Sequence, residues 1–197
     1  MIQSHPLIRA FVALRLEPAA ASAVAAFQTE LRLLSAEVAW TRATNFHVTV
    51  RFLGNQVAPA LLAALTPGLA AIAARTPPFT IEIRGTGSFP STRPRVLWVG
   101  IRSDPLKALA AEVEASVRAA GFPPAAPLVP HLTLGRMRGG SRLGGELGPA
   151  LRRAADRCLS TSAIDRLVLY QSRLGAGGAT YLPLHEFALE GGPGDKP

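Results

Sequence analysis

The feature that most constrains this chain is a short pattern that occurs twice. Residues His47-Val48-Thr49-Val50-Arg51-Phe52-Leu53-Gly54 alternate polar and apolar side chains. In a β-strand that alternation sends successive side chains to opposite faces. His47, Thr49 and Arg51 then share one face, and Val48, Val50 and Phe52 share the other, which reads as core. The pattern returns 84 residues later as His131-Leu132-Thr133-Leu134-Gly135-Arg136. A single His-x-Thr is weak, because short motifs arise by chance. Two copies, each on a predicted strand backed by aliphatics, point to two related halves. The plain alternative is two half-buried strands that each happen to carry a histidine.

The rest of the chain reads as strands and helices around these two segments. Residues 7–16, bounded by Pro6 and Pro18, alternate loosely and predict a strand. Pro18 opens a helix in its favoured first position, and Val24, Phe27, Leu31 and Leu34 carry its apolar stripe to about residue 35. Residues 37–42 suit a short strand before the first motif strand, 46–53, which Gly54-Asn55 should end. Residues 58–75 are helical in composition, but Pro67-Gly68 should kink or break them. Residues 79–84 and 95–101 read as strands. The stretch 85–94 between them reads as a loop with basic residues Arg93 and Arg95, and it lacks the strand-to-helix setting of a phosphate cradle.

Asp104-Pro105 caps a helix that runs to Ala120 and stops at Gly121. Residues 123–130 form an extended proline-rich loop that delivers the second motif strand. Residues 138–148 are Gly- and Arg-rich and read as mobile, and a short helix over 149–156 follows. Strands at 164–172 and 180–190 are joined through Gly175-Ala176-Gly177-Gly178 as a hairpin. The fold class expected is α+β, with mixed or mostly antiparallel sheets flanked by helices. Residues 1–190 are expected to form one domain and 191–197 a disordered tail.

Composition narrows the function classes. No apolar run is long enough to span a bilayer, and the N-terminus has no charged-then-apolar leader pattern. The single cysteine, Cys158, excludes an internal disulfide and reads as a small buried apolar residue. Together these suggest a cytoplasmic protein without membrane partners; a monomer is expected. The formal net charge is +8, and the only lysines are Lys107 and Lys196. Arginine suits bidentate phosphate contacts, so the balance favours an anionic partner such as nucleic acid. GC-rich genomes also produce Ala-, Arg- and Pro-rich chains, which halves the weight of that inference.

Two histidines from two halves suggest general acid–base catalysis, since an imidazole titrating near pH 6.5 can either give or take a proton. That division suits in-line displacement at phosphorus, with threonine hydroxyls donating to non-bridging oxygens. A metal site needs more ligands, and no Asp, Glu or Cys lies within either motif, nor does H-E-x-x-H or C-x-x-C occur. No metal or other cofactor is expected. A Ser-His-Asp triad would need a G-x-S-x-G elbow, which is absent. His5 sits near the terminus, and His185 reads as a surface or edge residue. Arg51 shares the His47 face if its strand is regular, which makes it a candidate substrate-binding residue beside Arg136. Arg136 has the wrong parity to share the His131 face, unless Gly135 permits a bulge.

At these residues the chain resembles the two-histidine phosphoesterase superfamily, defined by paired H-x-T/S-x motifs. It is most similar to the bacterial and archaeal RNA 2′,3′-cyclic phosphodiesterases, also called 2′-5′ RNA ligases. Arg9-Ala10-Phe11-Val12-Ala13-Leu14, Pro94-Arg95-Val96-Leu97-Trp98, Leu169-Tyr170-Gln171-Ser172 and the segment 181–187 extend the likeness in order along almost the whole chain. Neither motif departs from the family pattern. The resemblance implies two pseudo-symmetric lobes around a central cleft and metal-free hydrolysis of RNA ends, or cyclic nucleotides, carrying a 2′,3′-cyclic phosphate. It implies His47 as proton donor, His131 as proton acceptor, and Thr49, Thr133 and Arg136 as phosphate ligands. The 138–148 loop looks particular to this chain and leaves substrate size open. Two rivals remain: an RNA- or nucleotide-binding module without chemistry, and a phosphodiesterase for a small cyclic nucleotide.

Overall fold

The computed structural model describes residues 6–139, 143–175 and 178–192. Along the chain run β1 (Ile8–Arg15), α1 (Pro18–Arg32), β2 (Val38–Trp40), a 3-10 turn (Ala43–Asn45), β3 (His47–Val57) and α2 (Pro59–Arg75). They are followed by β4 (Phe79–Phe89), β5 (Val96–Arg102), α3 (Asp104–Ala119), β6 (His131–Met137), α4 (Leu147–Arg153), β7 (Cys158–Ile164), β8 (Arg166–Gly175) and β9 (Gly178–Ala188). One sheet has the order β3-β1-β8-β9 and the other β2-β6-β5-β4-β7, and every strand pairing is antiparallel. The α+β class and the two related lobes are as expected, with one histidine strand in each sheet.

Alternation explains where the core sits. Ala10, Val12 and Leu14 of β1, with Leu167 and Leu169 of β8, join the main core, as do Leu97 and Val99 of β5 with Leu132 and Leu134 of β6. The opposite face of the first sheet carries a separate small cluster of Phe11, Ala13, Val168 and Tyr170, against which Tyr181 packs. That second face is where His47 lies.

Several local expectations need correction. β3 does not end at Gly54-Asn55 but continues to Val57. α2 runs unbroken through Pro67. Its stripe of Leu62, Leu65, Leu69 and Ile72 is buried. Each such side chain contributes about 1.5–3 kcal/mol, together more than the ~3 kcal/mol cost of an internal proline. Residues 85–89, read as loop, belong to β4, where the Trp98 ring lies so close over Gly87 that a Cβ there would sit 2.2 Å from it.

The cap of α3 is Ser103, one residue earlier than expected, and its hydroxyl accepts from the Leu106 amide at 3.3 Å. Strand β7 was not foreseen. Its Ser160-Thr161-Ser162-Ala163 run has too little apolar alternation to announce a strand, and its place at the sheet edge asks for none. Cys158 is exposed on β7, not buried. His185 is exposed on the edge strand β9, as expected. In the anticipated hairpin Gly175 pairs with Gly178, while residues 176 and 177 lie outside the described residues. So do His5, residues 140–142 of the Arg-rich loop, and 193–197. Gly191, placed in the expected tail, is buried and donates to Thr76 O at 3.0 Å.

Candidate active site

Both histidines are held the same way by the residue two positions upstream. His47 Nδ1 lies 2.7 Å from Asn45 O, and His131 Nδ1 lies 2.8 Å from Val129 O. A carbonyl only accepts, so each Nδ1 carries the proton and each Nε2 is left for chemistry. The 3-10 turn presents the Asn45 carbonyl, and the Asn45 side chain donates to Ala179 O of β9 at 2.7 Å. On the other side the extended 123–130 loop presents Val129.

The rings around the two imidazoles differ. His47 is tilted against Phe11 (centroids 4.9 Å apart) and edge-on to Tyr181 (5.0 Å), with Tyr170 stacked on Phe11 at 5.2 Å. Its Nε2 lies 3.1 Å from Thr49 Oγ1, which can donate to the bare nitrogen. Burial in this cage pushes the His47 pKa below that of an ordinary imidazole; the Asn45 carbonyl opposes the shift and the nearby His131 adds to it. His131 packs edge-on to Phe89 at 5.0 Å and tilts toward Trp98 at 6.3 Å. Among the described residues its Nε2 has no hydrogen-bond partner.

A cleft of about 530 Å³ brings together His47, Thr49, His131, Thr133 and Arg136, with Arg9 and Phe52 also on its wall. Arg136 reaches it because β6 carries a bulge: Trp98 pairs with Thr133 and Leu97 with Gly135, so Leu134 is passed over. That shift reverses the parity and leaves Arg136 exposed. Gly135 is needed there, because a Cβ would stand 2.6 Å from Val38 Cγ1 of β2. Gln28 of α1 holds the bulge from below. It is buried, and its Nε2 donates to Leu134 O and Thr41 O at 2.8 Å each, while Thr41 N also donates to Leu134 O at 2.9 Å.

β3 carries the matching irregularity. Val12 pairs with Arg51 and Ala13 with Thr49, so Val50 is passed over, and a second shift follows at Leu53. The skipped residue stands three after the histidine in both strands. The expectation that Phe52 faces the core fails for this reason: the ring is 38% exposed and faces the cleft, with the Arg9 guanidinium 4.5 Å over it. Phe52 and Arg136 thus hold equivalent positions, five after their histidines.

Arg51 is placed otherwise than the regular alternation suggested. Its guanidinium pairs with Glu114 of α3 and donates to Phe52 O and Pro123 O, so it ties β3 to α3 and to the loop before His131. Burial alone would raise the Glu114 carboxyl, but the hydrogen bonds from Arg51 and the Ala125 amide outweigh it and hold the carboxyl below its usual range. Among the described residues no three His, Cys, Asp or Glu side chains come together as a metal-binding group. Nor is any described helix long and apolar enough to cross a membrane.

Sequence reasoning missed Gln28 and the Phe11–Tyr181 cage, which act across long separations, and Asn45, whose backbone carbonyl gives no side-chain signal. Only the wrong parity of Arg136, next to a glycine, hinted at the bulge.

Comparison with known proteins bears on the family, the enzyme class and the fold. The family described as LigT-like phosphoesterase matches twice, over residues 14–98 and 99–181, so each half carries its own copy with its own histidine strand. A relative from Aeropyrum pernix, named RNA 2′,3′-cyclic phosphodiesterase, is 37% identical over 146 residues, covering 72% of this chain and 81% of its own. One of the same name from Methanothermobacter thermautotrophicus is 28% identical over 184 residues, covering 92% and 99%. Among solved structures, TT0787 of Thermus thermophilus aligns with a TM-score of 0.79 at 25% identity over 93% of this chain and 99% of its own. E. coli LigT complexed with 3′-AMP shares the fold, with a TM-score of 0.74 at 24% identity over 94% and 99%. The expected enzyme class and fold are borne out: this chain belongs to the LigT-like phosphoesterase family.

Proposed function

We propose that the cleft hydrolyses the terminal 2′,3′-cyclic phosphate of RNA to a 2′-phosphate, using the two histidines and no metal. The observation that carries this reading is the convergence of two imidazoles with one guanidinium and two threonines on one cleft. The relatives named RNA 2′,3′-cyclic phosphodiesterase support the substrate. His131 Nε2 takes a proton from water, whose oxygen attacks phosphorus. The bond to the 3′ oxygen breaks, and His47 Nε2 protonates that oxygen as it leaves. Arg136 and the Thr49 and Thr133 hydroxyls hold the non-bridging oxygens, where charge builds. Phe52, backed by Arg9, offers its ring to the base. Arg51 acts through the wall it ties together rather than on phosphate.

The low pKa of His47 bears on its role as acid. In the empty cleft the ring favours its neutral form. An anionic phosphate within hydrogen-bond reach stabilises the imidazolium, so the substrate itself charges its proton donor. Run in the same direction with a 5′-hydroxyl in place of water, the same groups form a 2′-5′ linkage. The exposed Arg95 and Arg138 stand next in the ladder to Arg136 at one end of the second sheet, and with the exposed Arg93 of the β4–β5 connection they favour RNA over a small cyclic nucleotide; Arg142 lies outside the described residues. We read the chain as a cytoplasmic monomer, for which light scattering should give one mass near 20.7 kDa.

The test is incubation, in EDTA, with a 2′,3′-cyclic mononucleotide and with an oligoribonucleotide bearing the same end. Both should yield 2′-phosphates, the oligonucleotide at the higher kcat/KM. Turnover only after addition of zinc or manganese would refute the mechanism, and a preference for the mononucleotide would refute RNA as substrate. Binding without turnover would leave a recognition module instead.

A further inference from the structure

A second cavity, of about 710 Å³, opens beside the cleft and shares Thr49, Phe52 and His131 with it. It includes neither His47 nor Arg136. One wall is α3. The core stripe of that helix is Leu106, Leu109, Val113 and Val117, and a neighbouring stripe of Lys107, Ala110, Ala111 and Glu114 faces the cavity. The other wall is the loop 125–130, where Val129 is 53% exposed. Alanines 110, 111, 125 and 126 leave the space open, and Phe52 and Phe89 flank it next to His131. The Glu114 carboxylate is neutralised by Arg51, and the Lys107 ammonium is held by Asp104 at 2.8 Å. The groove is therefore apolar, with aromatic rings near the catalytic end.

In-line displacement gives this position a meaning. The nucleophile enters on the side of the base and the leaving oxygen departs on the side of the acid, so whatever is attached to the nucleophile must extend from His131 away from His47. Water has nothing attached and needs no groove. A cavity in the size range of organic ligand sites, with the base in its wall and the acid outside it, fits a larger alcohol. We propose that the groove is an acceptor subsite that takes the 5′-terminal nucleoside of a second RNA strand. The inference rests on the assignment of acid and base given above. In the step it serves, the 5′-hydroxyl gives its proton to His131 Nε2 and its oxygen bonds to phosphorus. The bond from phosphorus to the 3′ oxygen breaks, and His47 Nε2 protonates that oxygen. The products are a 2′-5′ diester and a free 3′-hydroxyl. The base of the incoming nucleoside packs against Phe89 at the mouth, an interaction indifferent to base identity.

The test compares partition, not rate alone. A cyclic-phosphate-ended oligoribonucleotide is offered water, methanol or a 5′-hydroxyl oligoribonucleotide. Ala111→Trp and Ala126→Trp, both at exposed positions, fill the groove from opposite walls. Each variant should lower the ratio of ligation to hydrolysis by about tenfold or more, the scale of one lost base stack. Hydrolysis and the methanol partition should stay within about twofold, methanol being too small to need the groove. Unchanged ligation in both variants would overturn the proposal. A parallel fall in hydrolysis of the oligonucleotide would assign the groove to the donor strand and overturn it too. Wild-type protein that hydrolyses but never ligates would remove the acceptor subsite and leave the hydrolase standing. Absence of hydrolysis would instead refute the underlying function.

Discussion

The two histidine strands are copies in plan and opposites in surroundings. Each histidine is oriented by a carbonyl two residues back, each is followed by a threonine two residues on, and each strand skips one residue three positions on. Yet His47 lies among Phe11 and Tyr181 with a lowered pKa, whereas His131 stands at the junction of cleft and groove. Five residues on, one strand offers an aromatic ring and the other a guanidinium. The repeated half supplies the frame, and on the proposed mechanism unlike neighbours divide the labour. An in-line reaction needs that asymmetry, because two identical imidazoles would favour the same protonation state.

The strongest way to break the comparison is to remove each ring. His47→Ala and His131→Ala should each cost about a hundred- to ten-thousand-fold in kcat on a cyclic phosphate. The double variant should be little worse than either single one, as groups acting in one step are not additive. A p-nitrophenyl phosphodiester separates the roles, since its leaving group needs no proton. There His47→Ala should regain most of its loss and His131→Ala should not. Recovery by His131→Ala alone would reverse the assignment.

The equivalent pair, Arg136 and Phe52, should differ in kind. If Arg136 binds phosphate as proposed, Arg136→Ala removes a charge-assisted contact of about 1.5–3 kcal/mol, and kcat/KM should fall about ten- to a hundredfold for every substrate. Phe52→Ala should cost about fivefold or more on nucleotides, and leave a phosphodiester without a base nearly untouched. Equal losses on both substrates would mean that Phe52 supports the cleft wall rather than a base.

Gln28 sharpens the same point at a smaller scale, because it holds the bulge that aims Arg136. Gln28→Ala should raise KM about three- to tenfold with kcat little changed, as expected when one hydrogen bond fewer fixes a binding group. The same change made on Arg136→Ala should add almost nothing to KM, the signature of two residues acting as one. An additive effect would make Gln28 a stability residue only, readable in urea unfolding.

How much of this was legible beforehand follows from the range of each interaction. The two motifs, the strands that bear them and the amphipathic helices α1 and α3 rest on local periodicity, and they are present with some of their ends shifted by a few residues. Phe52 and Arg51 were misplaced because alternation assumes a regular ladder, and a bulge is decided by the partner strand. Strand β7, built of small polar residues, exists because β4 offers it an edge. The cage around His47 joins β1, β3 and β9, and Gln28 meets Leu134 across 106 positions. No window along the chain contains such contacts, and pattern reading cannot supply them.

The smallest expected effect tests the asymmetry in the resting protein. His47 has a folded pKa below the ordinary imidazole value of about 6.5. Between those two values the unfolded chain binds a proton at this site more readily than the folded one does. The contribution of His47 to stability is therefore present where both forms are neutral, above about pH 6.5, and is lost as pH falls toward the folded pKa. Urea titrations of wild type and His47→Gln should diverge accordingly, with the wild type losing more stability on acidification, by at most about 1.4 kcal/mol per pH unit. NMR titration of the His47 ring should give a midpoint below 6.5 in the free protein, rising when a non-hydrolysable phosphodiester fills the cleft. The same shift should appear in kinetics. The loss of rate at high pH, as the acid deprotonates, should start at lower pH in kcat/KM, which reports the free enzyme, than in kcat, which reports the complex. A His47 midpoint at or above 6.5 in the empty cleft would show that the ring cage does not tune this histidine, and that the two lobes differ only in shape.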